Sequence, residues 1–122
     1  MNYYKYAELV TLTRAKFDAA QAALAQLRTE EQQLIDTIET LSRQQAERAK
    51  LRAINIDSAA VSGVDLRWEI WAEDRKKQLN QQLAQLRLVM EQNLARVRKS
   101  FAENEAAREL AEYVRAQSRQ TS

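Results

Sequence analysis

Aromatic and charged side chains supply nearly all the chemistry open to this chain. Trp68 and Trp71 stand three residues apart in Arg67-Trp68-Glu69-Ile70-Trp71. On a helix they share one face. They can close the end of a two-helix packing near Gln45 and Arg48, or anchor a partner, since tryptophan is enriched at binding hot spots. One can point inward and the other outward. Tyr3, Tyr4 and Tyr6 cluster near the start. They can cover apolar residues of a second helix near Ala111 and Val114, or offer a contact surface. The chain has no Cys and no His. That excludes thiolate and imidazole metal sites, a cysteine nucleophile, a His-centred triad and disulfides. Carboxylates are plentiful, but they lie along helix surfaces, where pKa values stay ordinary. No glycine-rich phosphate loop and no nucleophile elbow is present. The sequence therefore predicts a non-enzymatic protein with no cofactor and no metal.

The elements that carry these residues follow from composition. Of 122 residues one is Gly and none is Pro. A sheet protein of this size needs many tight turns, and turns draw on Gly and Pro. Ala, Leu, Gln, Glu, Arg and Lys dominate, and all favour helix. Aromatics make up 7%, which suits a narrow apolar seam better than a thick core. The expectation is an all-α fold: two long helices in an antiparallel coiled-coil hairpin, rod-shaped, in one domain. Helix 1 is placed at about 3–53, a turn at about 54–64 and helix 2 at about 65–117. Each helix would span roughly 75 Å at 1.5 Å per residue. Gly63, free to adopt positive φ, marks the turn. Asp65 then caps helix 2, with Ser62 as the alternative cap.

The first half keeps a seven-residue register through Tyr3, Tyr6, Val10, Thr13, Phe17, Ala20, Leu24, Leu27, Glu31, Leu34, Ile38, Leu41, Gln45 and Arg48. Alternating steps of three and four are those of a left-handed coiled coil. Glu31 in mid-seam reads as a register-setting defect, an exposed edge, or a group with a specific partner. In helix 2, Leu79, Leu83, Leu86, Met90, Leu94, Val97 and Phe101 suggest an eleven-residue repeat. Mismatched periods predict a weakly twisted or splayed pair, tightest at mid-length. Beyond Phe101 the seam decays through Asn104, Ala107, Ala111 and Val114, and the tail from Gln117 should fray.

Net charge is +2, and both halves carry near-equal numbers of cations and anions. Arg75-Lys76-Lys77 and Arg96-Val97-Arg98-Lys99 spread around their helix and sit beside Glu73, Asp74 and Glu103. The pattern fits a solvated, ion-paired face and not a nucleic-acid footprint. Glu39 with Arg43 and Arg87 with Glu91 are spaced for i, i+4 pairs. The start lacks the apolar run of a signal peptide, and no window reaches a membrane-spanning length. The expected location is cytoplasmic, with no direct membrane insertion.

A long heptad helix, a brief break, Arg67-Trp68-x-x-Trp71, a Gln- and Leu-rich helix and the segment Phe101-Ala-Glu-Asn-Glu-Ala-Ala-Arg-Glu-Leu110 together resemble a known family. It is that of the flagellar export protein FliJ and the YscO-like proteins of virulence-type III secretion. The resemblance spans most of the chain. It implies an antiparallel coiled coil similar to the central stalk of rotary ATPases. Partners would be the export ATPase hexamer, the cytoplasmic domain of the export gate, and export chaperones. Such a protein sits in the cytoplasm, at the inner face of a secretion apparatus. In the flagellar branch the gate is bound by a face early in helix 2. Here that face carries Asp74, Gln78, Gln81 and Gln85, without the apolar residues of the family, and Trp71 with Arg75 is the nearest substitute. The residues expected to bind partners are Tyr3, Tyr6, Trp68, Trp71, Arg75 and Gln78. A generic oligomeric coiled-coil scaffold unrelated to secretion is the alternative.

Overall fold

A computed structural model describes residues 3–54 and 59–120, all of them helical. Helix α1 spans Tyr3–Ile54 and helix α2 spans Ala59–Gln120. Helices of 52 and 62 residues suit a chain rich in strong helix formers with no proline to interrupt them. Long isolated helices gain most of their stability by burying a face. Each helix does so twice, in two compact units: a terminal unit, Met1–Leu27 with Val89–Ser122, and a central unit, Arg28–Leu88.

The pairing is antiparallel inside each unit. In the terminal unit Thr13 meets Asn104, Lys16 meets Glu103, Phe17 meets Phe101 and Ala20 meets Asn93. In the central unit Glu31 meets Arg87, Gln45 meets Glu73 and Arg48 meets Asp65. Partner numbers fall along α2 as they rise along α1. Among the described residues no helix is long and apolar enough to cross a membrane.

The expected seam of α1 is the face that is covered. Thr13, Ala20, Leu24 and Leu41 are buried. Tyr6, Val10, Phe17, Leu27, Glu31, Leu34, Ile38, Gln45 and Arg48 are half-buried, and Tyr3 is exposed. The seam does not stop at Leu41, because α2 offers polar partners beyond it.

In α2 the structure corrects the expected period. From Leu79 the covered residues run Leu83, Leu86, Met90, Asn93, Val97, Ser100, Asn104, Ala107, Ala111 and Val114. The steps alternate four and three, matching α1 and removing the mismatch on which a splayed pair was expected. Asn93 and Ser100 are the buried residues beside Leu94 and Phe101; Leu94 stays half-buried at the seam's edge, and Phe101 is 51% exposed. Nor does the seam decay, since Val114 is 2% exposed. The physical reason is that the partner helix dictates which positions are covered, whatever side chain stands there. Polar residues at those positions then find partners. Asn93 Nδ2 donates to the Ala20 carbonyl at 3.0 Å. Asn104 Nδ2 donates to Thr13 Oγ1 at 2.9 Å and to the Val10 carbonyl at 3.2 Å. Among the described residues no buried side-chain nitrogen or oxygen lacks a partner. Nearer the start of α2 the covered residues are Asp65, Trp68, Ala72 and Leu79. The phase shifts by one residue before Leu83, and there both Arg75 and Lys76 are half-buried.

The turn is also corrected. Ile54 belongs to α1 and residues 59–64 belong to α2, while 55–58 lie outside the described residues. Asp65 is well inside α2 and pairs with Arg48 and Arg52 in place of capping. Ser62 also lies within the helix. Gly63 has no positive φ. The packing of Trp68 and Ala72 fixes the helix beyond it, so the cost of one helical glycine is tolerated. At the other end α2 reaches Gln120, past the expected limit at 117.

A methyl group at Gly63 would meet nothing within 4 Å. Gly63→Ala is therefore expected to stabilise the fold by about 0.5–1 kcal/mol, through helix propensity and a less disordered unfolded chain. Urea denaturation followed by circular dichroism reads this directly. A loss of stability would mean that residue 63 serves the turn after all.

Candidate functional site

Where α1 approaches its end, the seam carries Gln45, Arg48 and Arg52 in place of leucines. Opposite them α2 carries Asp65, Trp68, Glu69, Ala72, Glu73 and Lys76. Ala72 is fully buried, so the backbones come close and the longer side chains clasp around it. The Arg48 guanidinium lies over the Trp68 ring, 3.9 Å from its centroid. Its Nη1 also donates to Asp65 Oδ1 at 3.3 Å. Arg52 reaches both Asp65 Oδ2 and Glu69 Oε1 at 3.4 Å. Gln45 Nε2 donates to Glu73 Oε1 at 2.8 Å and to Glu69 Oε2 at 3.2 Å, and Gln45 Oε1 accepts from Lys76 Nζ at 2.9 Å. Single exposed ion pairs contribute little. A connected set around a stacked guanidinium holds its members in one geometry, because each side chain answers to more than one neighbour.

This clasp sorts the two tryptophans. Trp68 is half-buried beneath Arg48. Trp71 leans on it with ring centroids 6.2 Å apart and is 54% exposed. Beside Trp71 an open depression of about 800 Å3 is lined by Arg67, Ile70, Asp74, Lys77 and their neighbours. Leu66 and Ile70, four apart on α2, are exposed as well. The result is an apolar surface rimmed by charges of both signs, held on a rigid helix. Such surfaces mark interaction sites on soluble domains. Among the described residues no group of acidic side chains could hold a metal ion.

The residues expected to bind partners do not form one site. Trp68 and Trp71 belong together. Arg75 is half-buried and faces a different groove, with Leu34, Leu79 and Leu86. Gln78 is exposed, as are Asp74, Gln81 and Gln85, and of these Asp74 lines the Trp71 depression. Tyr3 and Tyr6 belong to the terminal unit. Tyr6 is half-buried there. Tyr3 packs edge-on to Tyr4, with Arg115 6.0 Å from its ring centre, while Tyr4 is largely exposed. The cluster thus sits near Val114, and Tyr4 gives it an outward side. Leu66 and Ile70 escaped the sequence reading. Their signal is apolar character at i, i+4 off the seam register.

Glu31 has a specific partner: it accepts a hydrogen bond from Arg87 Nε across the helices at 3.0 Å. Arg87 therefore does not make the expected pair with Glu91, and Glu39–Arg43 is not an ion pair among the described residues either. Comparison with protein-family models, curated proteins and solved structures finds no match for this chain.

The clasp leaves a mark on titration. The hydrogen bond from Gln45, and then the charge of Lys76, hold the Glu73 carboxyl below its ordinary value of 4.5. A depressed carboxyl stabilises the fold above its unfolded pKa and loses that effect as pH falls through the lower folded value. Carboxyl NMR titration should place Glu73 below 4.5, and Gln45→Ala should move it back up. An unshifted Glu73, or one indifferent to Gln45→Ala, would break the link between the two helices at this point.

Proposed function

We propose that this chain is a non-enzymatic stalk or escort component of a type III protein export apparatus. It binds the export ATPase hexamer and the cytoplasmic domain of the export gate, and it handles export chaperones. The observation that carries this reading is Trp71, an exposed aromatic fixed against Trp68 and Arg48 on a two-helix antiparallel coiled coil. The family resembled by this sequence has the same architecture. A coiled-coil surface with interspersed charges suits a partner that turns around it, since its polar contacts are adjustable and favour no single rotational state. Tyr3, Tyr4 and Tyr6 would meet the ATPase ring. Trp71, Ile70 and Leu66 would reach toward the gate, with Asp74 and Gln78 at the edge of that contact. The place of action is the cytoplasm, at the inner face of the apparatus, and no cofactor is needed. The exposed apolar residues also support a second reading, a self-assembling coiled-coil scaffold.

Light scattering on the purified chain, alone and mixed with export ATPase and nucleotide, separates the two. The export reading expects a monomer that co-elutes with the hexamer. For the gate contact it expects Trp71→Ala to weaken binding of the gate cytoplasmic domain by roughly tenfold, the scale of an aromatic hot spot. Gln44→Ala, at an exposed position of α1, should leave that binding unchanged. A stable homo-oligomer that ignores both partners would sink the export reading.

A further inference from the structure

The terminal unit exposes apolar side chains that its own seam does not use. Leu9, Leu12, Leu110 and Tyr113 are exposed, while Ala20, Ser100 and Asn104 fill buried positions. Heptad geometry places them. Residues seven apart share a face in such a helix. Leu9 stands seven before Lys16, and Leu110 seven after Glu103. Lys16 meets Glu103 across the seam at 3.4 Å, so Leu9 and Leu110 flank the seam on that same side.

Next to them a groove of about 400 Å3 opens over Ala19, Ala20, Ala23 and Ser100. Lys16, Arg96, Lys99 and Glu103 wall it. Lys16 answers the one carboxylate. Arg96 and Lys99 pair with no carboxylate among the described residues. This side of the unit is therefore apolar at one end and carries unbalanced positive charge at the other. The small side chains beneath the groove leave room for another backbone to come close.

We infer that this face binds an amphipathic helix of a partner protein that carries carboxylates beside its apolar stripe. Leucine-like residues at i, i+3 and i+4 would cover Leu9, Leu12 and Leu110, the usual mode of helix-in-groove recognition. Carboxylates about three and four turns along would meet Lys99 and Arg96, which stand eleven and fourteen residues before Leu110. Complementary charge sets the direction and the choice of partner, and apolar contact supplies most of the affinity. This surface lies in the terminal unit, apart from the Trp71 depression in the central one.

The test uses the whole chain and two labelled synthetic peptides of roughly three heptads each. Both carry leucine at a and d positions; one has Glu at the flanks and the other Lys. Fluorescence anisotropy should show the Glu peptide binding about tenfold more tightly than the Lys peptide, with the preference shrinking in high salt. Arg96→Glu with Lys99→Glu should weaken the Glu peptide about fivefold or more. Arg98→Glu, which removes a cation outside the groove walls, should leave it unchanged. Circular dichroism would confirm that both variants remain helical. Equal affinity for the two peptides, no binding, or equal weakening by Arg98→Glu would overturn the inference. So would sedimentation showing a dimer that excludes the peptide, which would assign the face to a second copy of the chain.

Discussion

The antiparallel register of α1 against α2 inside each unit is the constraint on which the packing depends. Two helices alone bury little surface per residue, so a small slip costs few apolar contacts. Leucines by themselves tolerate such slips. Buried polar groups do not, because a displaced amide loses its partner and keeps its desolvation cost. Asn104 with Thr13, and Asn93 with the Ala20 carbonyl, fix the terminal unit in this way. In the central unit the same task falls to Glu31 with Arg87 and to the clasp around Trp68. A polar residue at a seam position is known to specify register at some cost in stability.

That constraint also decides what is left exposed. Thr13, Ala20, Asn93, Ser100 and Asn104 fill buried positions of the terminal seam, while larger apolar side chains such as Leu9, Leu110 and Phe101 face outward or sideways. In the central unit, Trp68 is spent on the seam and Trp71 is presented outside it. A chain that holds its helices together with polar layers keeps its apolar groups available for partners. The charges along both helices disfavour association with surfaces of like charge.

Sequence and structure part company at particular residues. The seam of α1 was legible because apolar side chains occupy most of its positions from Val10 to Leu41. In α2 the apolar residue Phe101 pointed to the wrong face and Leu94 only to the edge of the covered one, because Asn93 and Ser100 hold the buried positions. Hydrophobicity marks a seam only where the seam is made of hydrophobic groups. The pairing of Asn104 with Thr13 becomes visible when both helices are laid side by side, since neither residue signals it locally. Gly63 suggested a turn on propensity alone, and packing beyond it outweighed that small cost. Of the candidate site, the contrast between Trp68 and Trp71 was readable as alternatives. Its outer rim at Leu66 and Ile70 was not, because single apolar residues on a solvated face are common.

The register itself can be measured most directly with spin labels. The chain has no native cysteine, so cysteines introduced at 16 and 103 label one point on each helix of the terminal unit. Pulsed electron paramagnetic resonance should give one short, narrow distance. A slip of one heptad would displace the labels by about 10 Å along the helix axis, and replacing both Asn93 and Asn104 by Leu should add such a displaced population. A double or broad distribution with both asparagines in place would contradict the claim that the polar layers set a single register.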